Sequence, residues 1–183
     1  MFGYSKIVNY IYVLSNNRAV NVQAKVSMQS VLVDLPTLSR TQHREISRFQ
    51  GRVATIYLRL RYGSKKTYVL MANSNNTLTH CEWIVPAEKI ASKYPFVTKN
   101  SYAIISCKTK QDFRGLGIYP SQLRYVANSG ISSTAYWIWA DTNNIQSLKG
   151  IVKAGGEKVG QCSRTKWFWG LFSTLTYTVK NTE

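Results

Sequence analysis

Residues 101–128, SYAIISCKTKQDFRGLGIYPSQLRYVAN, pass from an apolar run through a glycine-bearing loop into an apolar pattern of a different period. The run 101–109 is rich in β-branched and aromatic residues, which suits a strand in a sheet. In 120–128, Leu123, Tyr125 and Val126 share one helical face, and Asn128-Ser129-Gly130 supplies a stop. Between them, QDFRGLGIYP (111–120) carries Gly115 and Gly117. Two glycines let the backbone turn tightly and bring its N–H groups against a ligand. The helix that follows adds unpaired N–H groups and a partial positive charge at its start. Arg114 adds a planar fork suited to phosphate oxygens. A diphosphate fits such a loop. No Lys-Ser/Thr pair follows the second glycine, as a P-loop requires, and Pro120 stands where a dinucleotide fingerprint has its third glycine. On these residues alone, a strand–helix turn that simply uses glycines reads equally well.

Downstream, residues 133–140 read as a buried strand and 141–154 as a helix, with Ile145, Leu148, Ile151 and Val152 at helical spacing. Asp141 or an asparagine caps that helix, Gly155-Gly156 stops it, and strands at 158–163 and 171–179 close the chain. Upstream, residues 78–85 form a strand stopped by Pro86. Residues 52–62, RVATIYLRLRY, alternate and reach a turn at Gly63-Ser64, so with 67–71 they predict a hairpin. Earlier still, 39–49 suits a helix capped by Ser39, 21–34 suits a strand, and 7–14 suits a strand or short helix. The pattern predicts an α/β chain with a mixed sheet and at least one crossover.

The segment Arg114-Gly115-Leu116-Gly117-Ile118-Tyr119 resembles the acyl-CoA pyrophosphate loop of the GNAT superfamily of N-acetyltransferases, Arg/Gln-x-x-Gly-x-Gly/Ala. It matches at Arg114 and Gly117 and departs at Tyr119, where the pattern has a small residue. Asn144-x-x-Ser147 followed by Lys153-Ala-Gly155-Gly156 is similar to the second GNAT signature, with Gly156 in place of phenylalanine. The resemblance covers residues 52–180 and leaves 1–50 without a motif. It implies one acetyltransferase domain over 1–183, with a mixed, mostly antiparallel central sheet flanked by helices. It implies acetyl-CoA as cosubstrate and a primary amine as acceptor. The pantetheine arm would pair with the strand near Cys107 and Thr109. The amides of Arg114, Gly115, Leu116, Gly117, Ile118 and Tyr119 would hold the pyrophosphate, and Asn144 and Ser147 would reach the pantetheine or the thiol end. The stretch from His80 through Tyr94-Pro95-Phe96 to the loop is similar to GNAT proteins of surface-polysaccharide and amino-sugar synthesis, which implies an amino sugar on a nucleotide or lipid diphosphate.

Acyl transfer from a thioester to an amine needs a neutral amine, a donor for the oxyanion and a proton for the leaving thiolate. Many GNAT members place a tyrosine seven residues after the helix asparagine; here that residue is Ile151. Candidate bases lie on 78–85, where alternation puts Leu78, His80, Glu82 and Ile84 on one face. His80 supplies an imidazole, the commonest general base, and Glu82 orients it or acts through water; alternatively both are ordinary solvated strand residues. His43 lies in a polar segment and reads as surface. Cys107 has no histidine or acid implied beside it and reads as a small buried hydrophobe. Trp137, Trp139, Trp167, Phe168 and Trp169 read as packing, with 167–169 also suited to an acceptor pocket.

Composition bounds the rest. The 183 residues carry 24 Lys+Arg against 8 Asp+Glu, a formal net charge of +16, and 44% are hydrophobic. Global disorder is excluded, and the charge predicts an anionic partner: a phosphorylated cofactor, nucleic acid or an acidic membrane face. The basic residues are spread, with Lys65-Lys66 the longest run, unlike a nucleic-acid tail. Three well-separated cysteines, Cys81, Cys107 and Cys162, show no metal-ligand spacing and no disulfide framework, so no metal and a reducing, cytoplasmic setting are expected. No segment reads as a membrane span or signal peptide. Two further function classes stay open: an acetyltransferase directed to RNA or aminoacyl-tRNA, and a CoA-binding protein without turnover.

Overall fold

The first strand of the chain, β1 (Ser5–Leu14), lies in the interior of the sheet rather than at its edge. The structure, a computed structural model, describes residues 5–15, 20–63, 65–131, 135–167 and 172–179, without the side chains of 166, 167, 172 and 173. After β1 come β2 (Gln29–Asp34), α1 (Arg40–Gln50), α2 (Arg52–Tyr62), β3 (Tyr68–Ser74), β4 (Thr77–Pro86) and β5 (Tyr102–Thr109). Then follow α3 (Ile118–Ala127), β6 (Tyr136–Asp141), α4 (Ile145–Lys153), β7 (Glu157–Trp167) and β8 (Phe172–Val179). One eight-stranded sheet runs in the order β2-β3-β4-β5-β6-β1-β7-β8. Its pairs are antiparallel except β5–β6, which α3 joins by a crossover. The mixed, mostly antiparallel sheet expected from the sequence is what the chain forms. Residues 1–50, which carry no motif, supply two of its strands and one helix.

Alternation along the strands feeds two cores. Val69, Met71, Cys81, Trp83, Val85 and Trp137 pack under α1 and α2 with Ile46, Leu58 and Tyr62. Leu70, Ile84, Tyr136 and Ile138 pack under α3 and α4 with Leu123, Val126 and Ile151. Ser39 caps α1 as the sequence predicts: its side chain accepts from Gln42 N while Gln42 Oε1 accepts from Ser39 N, satisfying two otherwise orphaned donors.

Four expectations are corrected. Residues 52–62 form α2, not a hairpin strand. Thr55, Leu58 and Tyr62 face the core while Val53, Ile56, Tyr57 and Leu60 are exposed, so α2 is apolar on two opposite sides. A helix apolar on both sides has no single stripe, and its sequence mimics alternation. Secondly, the strand predicted over 21–34 is confined to Gln29–Asp34. Thirdly, Asn144 caps α4 by accepting from Ser147 N, whereas Asp141 ends β6 and its carboxylate accepts from Asn143 N. Fourthly, Leu78 leaves the His80 face. Asn73 pairs with Leu78 and Ala72 with His80, so Thr79 bulges out of the ladder and Leu78 joins the α1–α2 core. Trp167 lies in β7, but its side chain, Phe168 and Trp169 fall outside the described residues.

Ser39→Ala removes both reciprocal bonds of the α1 cap and is expected to cost about 1 kcal/mol of stability. Urea unfolding of the variant checks this, with an unchanged slope and a lowered midpoint as the expected outcome.

Candidate functional site

Strands β5 and β6 pair only at Tyr102↔Tyr136 and Ala103↔Trp137. Beyond these pairs β6 is held by β1, and β5 has no partner on that side among the described residues. The gap opens toward the C-terminal ends of both strands. From β5 the chain enters the glycine loop and α3; from β6 it enters the first turn of α4. In open α/β sheets this is where ligands sit.

The loop is built as the glycines suggest. A 3-10 turn over Gln111–Phe113 is followed by Gly115 at φ +77° and Gly117 at φ +76°, the latter serving as N-cap of α3. Both conformations belong to the left-handed region that glycine enters without strain. Among the described residues, no hydrogen-bond acceptor meets the backbone N–H groups of residues 115–119. Five such donors at a helix N-terminus form an anion cradle. Arg114 is exposed beside them and its Nε donates to Thr109 O at 3.3 Å. Residues 23–25 cross the loop: Lys25 N donates to Leu116 O at 2.8 Å, and Gln23 O lies 3.1 Å from where a Cβ on Gly117 would stand.

On its other side β5 is bulged. Cys81 pairs with Lys108 and Trp83 with Ile105, leaving Ser106 and Cys107 opposite Glu82, with Ser106 at φ +53°. A serine in that conformation persists only where its surroundings fix it. Gln50, at the end of α1, does so: its Nε2 donates to Ser106 O at 2.9 Å, and its Oε1 accepts from Trp83 Nε1 at 2.8 Å.

His80 and Glu82 are fully buried, so the solvated-strand alternative does not hold. His80 Nε2 lies 3.1 Å from Glu82 Oε2, and His80 Nδ1 lies 2.8 Å from Thr109 Oγ1. Glu82 Oε1 is buried with no hydrogen-bond partner among the described residues. Cys107 corrects a second expectation, because Glu82 is the acidic neighbour that the sequence did not imply. Burial first, and the Glu82 charge next, push its thiol well above the usual range. Tyr119 contributes more than an amide: burial and its neighbours Cys107 and Glu82 raise its hydroxyl, and its ring lies 5.9 Å from that of His80. Space for that ring comes from Gly150 on α4, where a Cβ would stand 2.5 Å from Tyr119 Cδ1.

Asn144 and Ser147 lie at the start of α4, just past the C-terminal end of β6, with Asn144 exposed and its side-chain oxygen committed to the cap. Ile151 is fully buried in the α3–α4 core, so no acid stands at that position. Beside the loop, a cleft of about 600 Å³ is lined on one side by Glu45, Arg48 and Phe49 and on the other by Lys108, Lys110 and Arg114. Gln50, Gly150 and the Glu82–Cys107 contact are what the sequence reading missed. Bulges carry no residue signature, so nothing in 78–109 announces which side chains meet.

The alkaline limb of stability follows from three thiols held away from water, Cys81 and Cys162 buried and Cys107 half-buried. Burial raises Cys81, Cys107 and Cys162 above the free-thiol value, each with desolvation as its largest cause. A raised folded value stabilises fully below the unfolded value and is lost as pH climbs through the folded one. The melting temperature is therefore expected to fall from about pH 9 upward. A flat profile between about pH 8 and 10.5 would contradict the burial of these thiols.

No family model and no curated protein sequence matches the chain. Solved structures do match. A functionally unknown conserved protein of Staphylococcus epidermidis aligns with 14% identity and a TM-score of 0.66, covering 89% of this chain and 62% of that one. A GNAT-family acetyltransferase of Colwellia psychrerythraea aligns with 14% identity and a TM-score of 0.61, covering 91% and 57%. A tandem GNAT protein of the clavulanic acid biosynthesis pathway, solved without acetyl-CoA, gives 14%, 0.62, 91% and 55%. The chain spans between half and two thirds of the length of these three proteins. The parted β5–β6 pair, the loop and the sheet order thus belong to a chain with the fold of the GNAT acetyltransferases.

Proposed function

We propose that this chain is an acyl-CoA N-acyltransferase that moves an acetyl group from acetyl-CoA to a primary amine. The observation that carries it is the coincidence, among the described residues, of five unpartnered amides at the start of α3 with the unpaired edge of β5. Pyrophosphate takes the amides of residues 115–119, helped by the Arg114 side chain; the Arg114 amide, expected to join them, instead donates to Gln111 O at 3.1 Å. The pantetheine amides supply what β5 lacks past Ala103, running by Cys107 and Thr109 and ending near Asn144 and Ser147. An extended ligand added to a strand edge gains main-chain hydrogen bonds without needing a deep pocket.

The thioester then lies at the gap, and the amine nitrogen attacks its carbonyl carbon. We assign Glu82 as proton acceptor, because His80 Nε2 holds Oε2 while Oε1, on the carboxylate beside Cys107, has no hydrogen-bond partner among the described residues. Burial places it beneath the strand pair, so the amine proton reaches Oε1 through water. His80 positions the carboxylate and is itself held by Thr109. Collapse of the tetrahedral intermediate breaks the carbon–sulfur bond, and the CoA thiolate leaves and takes a proton from water, to which Glu82 returns the proton it accepted from the amine. With Ile151 in the core, much of the acceleration comes from holding the two reactants together.

For the acceptor, the cleft lined by Arg48, Lys108, Lys110 and Arg114 against Glu45 supports a phosphate-bearing amine. An amino sugar linked through a diphosphate to a nucleotide or a lipid combines the required amine and charge. Buried Ile151 favours one other reading, a protein that binds acetyl-CoA without turnover.

Two measurements decide these points. Gly115→Asp sets a carboxylate among the free amides, whereas Gly115→Asn has the same shape, tolerates the same φ and is neutral. Calorimetry is expected to show at least tenfold weaker acetyl-CoA binding for the aspartate variant and near-normal binding for the asparagine variant; equal affinities would remove the loop assignment. Glu82→Gln is expected to lower kcat by about 10²-fold or more with acetyl-CoA affinity unchanged, read as thiol release with nucleotide-linked amino sugars. No thiol release with any amine, despite tight acetyl-CoA binding, would favour the non-catalytic reading.

A further inference from the structure

Exposed bulky apolar side chains gather on α2. Val53 and Leu60 are each 84% exposed, Ile56 56% and Tyr57 49%. At about 100° per residue these four fall within a single arc opposite Thr55, Leu58 and Tyr62, which hold α2 to the sheet. Arg52 and Arg59 border the arc on one side and Arg61 on the other. At the corner where Gly51 joins the helices, a notch of about 420 Å³ is lined by His43, Arg44, Ser47, Arg48, Arg52 and Ile56, with no carboxylate in its wall. Residues 40–62 hold six arginines and one glutamate, and that glutamate, Glu45, lines the cleft beside the loop instead. The positive field is uncompensated enough to act on His43, whose pKa is lowered by burial first and by Arg59 next.

We propose that the outer face of α2, together with the arginine notch, docks this protein on an anionic phospholipid surface. Aliphatic side chains with arginines along their border are what an interfacial helix presents: the apolar arc enters the headgroup boundary and the cations stay with the phosphates. Tyr57 suits the same depth, where aromatic rings with a polar tip accumulate. The notch takes one lipid phosphate between Arg44 and Arg52, as guanidinium forks do. A second copy of the chain fits this face poorly, because a two-fold contact would set arginines against arginines. Nucleic acid would engage the arginines and leave Val53 and Leu60 in water.

The test is co-sedimentation of the full chain with vesicles of phosphatidylcholine alone, or with about a third phosphatidylglycerol. At least tenfold more bound protein is expected on the anionic vesicles. Val53→Ser with Leu60→Ser is expected to lower that binding at least tenfold with an unchanged melting temperature, since both residues are solvated. Arg44→Gln with Arg52→Gln is expected to lower it comparably and to flatten its salt dependence, and inorganic phosphate should compete weakly at most. Equal binding to both vesicle types overturns the proposal, as does full binding by the serine variant. So does a dimer that the serine variant dissociates. Retention of a short RNA by the serine variant, with no preference for anionic vesicles, assigns the arginines to nucleic acid and overturns it as well.

Discussion

Everything at the site depends on how soon β5 parts from β6. Two residue pairs join them, and past Ala103 the backbone of β5 faces a gap. Backbone donors and acceptors left without partners inside a protein are costly, so such an edge must meet water or a ligand. The parting is enforced from both sides. Strand β1 pairs with β6 along Asn9–Leu14 and keeps it in the other half of the sheet. On the opposite flank, β5 is held out of regular register by its bulge, with Gln50 bonding Ser106 O and Trp83 fixing Gln50. A helix end, a strand indole and a serine in left-handed backbone conformation therefore serve one purpose: they stop the sheet from closing.

The buried polar cluster sits at that same bulge. His80, Glu82 and Thr109 meet at hydrogen-bond distance, with His80 and Glu82 fully buried, where an unmatched polar atom is expensive. Within that cluster, Glu82 Oε1 is the atom left without a hydrogen-bond partner among the described residues. Leaving a carboxylate oxygen orphaned at full burial costs on the order of 1–3 kcal/mol, more when charged. Such a cost is hard to explain by stability, because replacing both partners with apolar groups would remove it. It is intelligible where a reaction needs an acceptor. The packing of Tyr119 over this cluster, made possible by the missing side chain of Gly150, couples the geometry of α3 and α4 to it.

The loop at 111–120 was legible because its chemistry is local: glycines at two left-handed positions and a helix start are specified within ten residues. Strands β3 to β8 were legible for a similar reason, since apolar runs bounded by Gly, Pro and Asn say strand whatever surrounds them. Residues 52–62 were not, because their outward face is as apolar as their inward one, and periodicity separates helix from strand only when one face is polar. Thr79 and Ser106 were invisible in a different way. A bulge is settled by competition between neighbouring strands, so Leu78 changed sides and Glu82 met Cys107 with no mark in their own sequence. His80 and Glu82 could be picked out as reactive side chains, yet their burial depends on α3 covering a strand that alternation alone leaves half wet.

The surplus of positive charge separates along the fold into regions with different surroundings. Around the glycine loop, backbone amides do much of what cations do elsewhere, and Lys108, Lys110 and Arg114 border a cleft whose opposite wall is α1. At the α1–α2 corner the arginines stand next to aliphatic side chains instead. Arg48 lines both cavities, so the two regions form one continuous band across α1. Within a band of that kind the potentials add over distances shorter than about 10 Å at moderate salt. An anion drawn to either end is then drawn toward the other, because Arg48 belongs to both cavities.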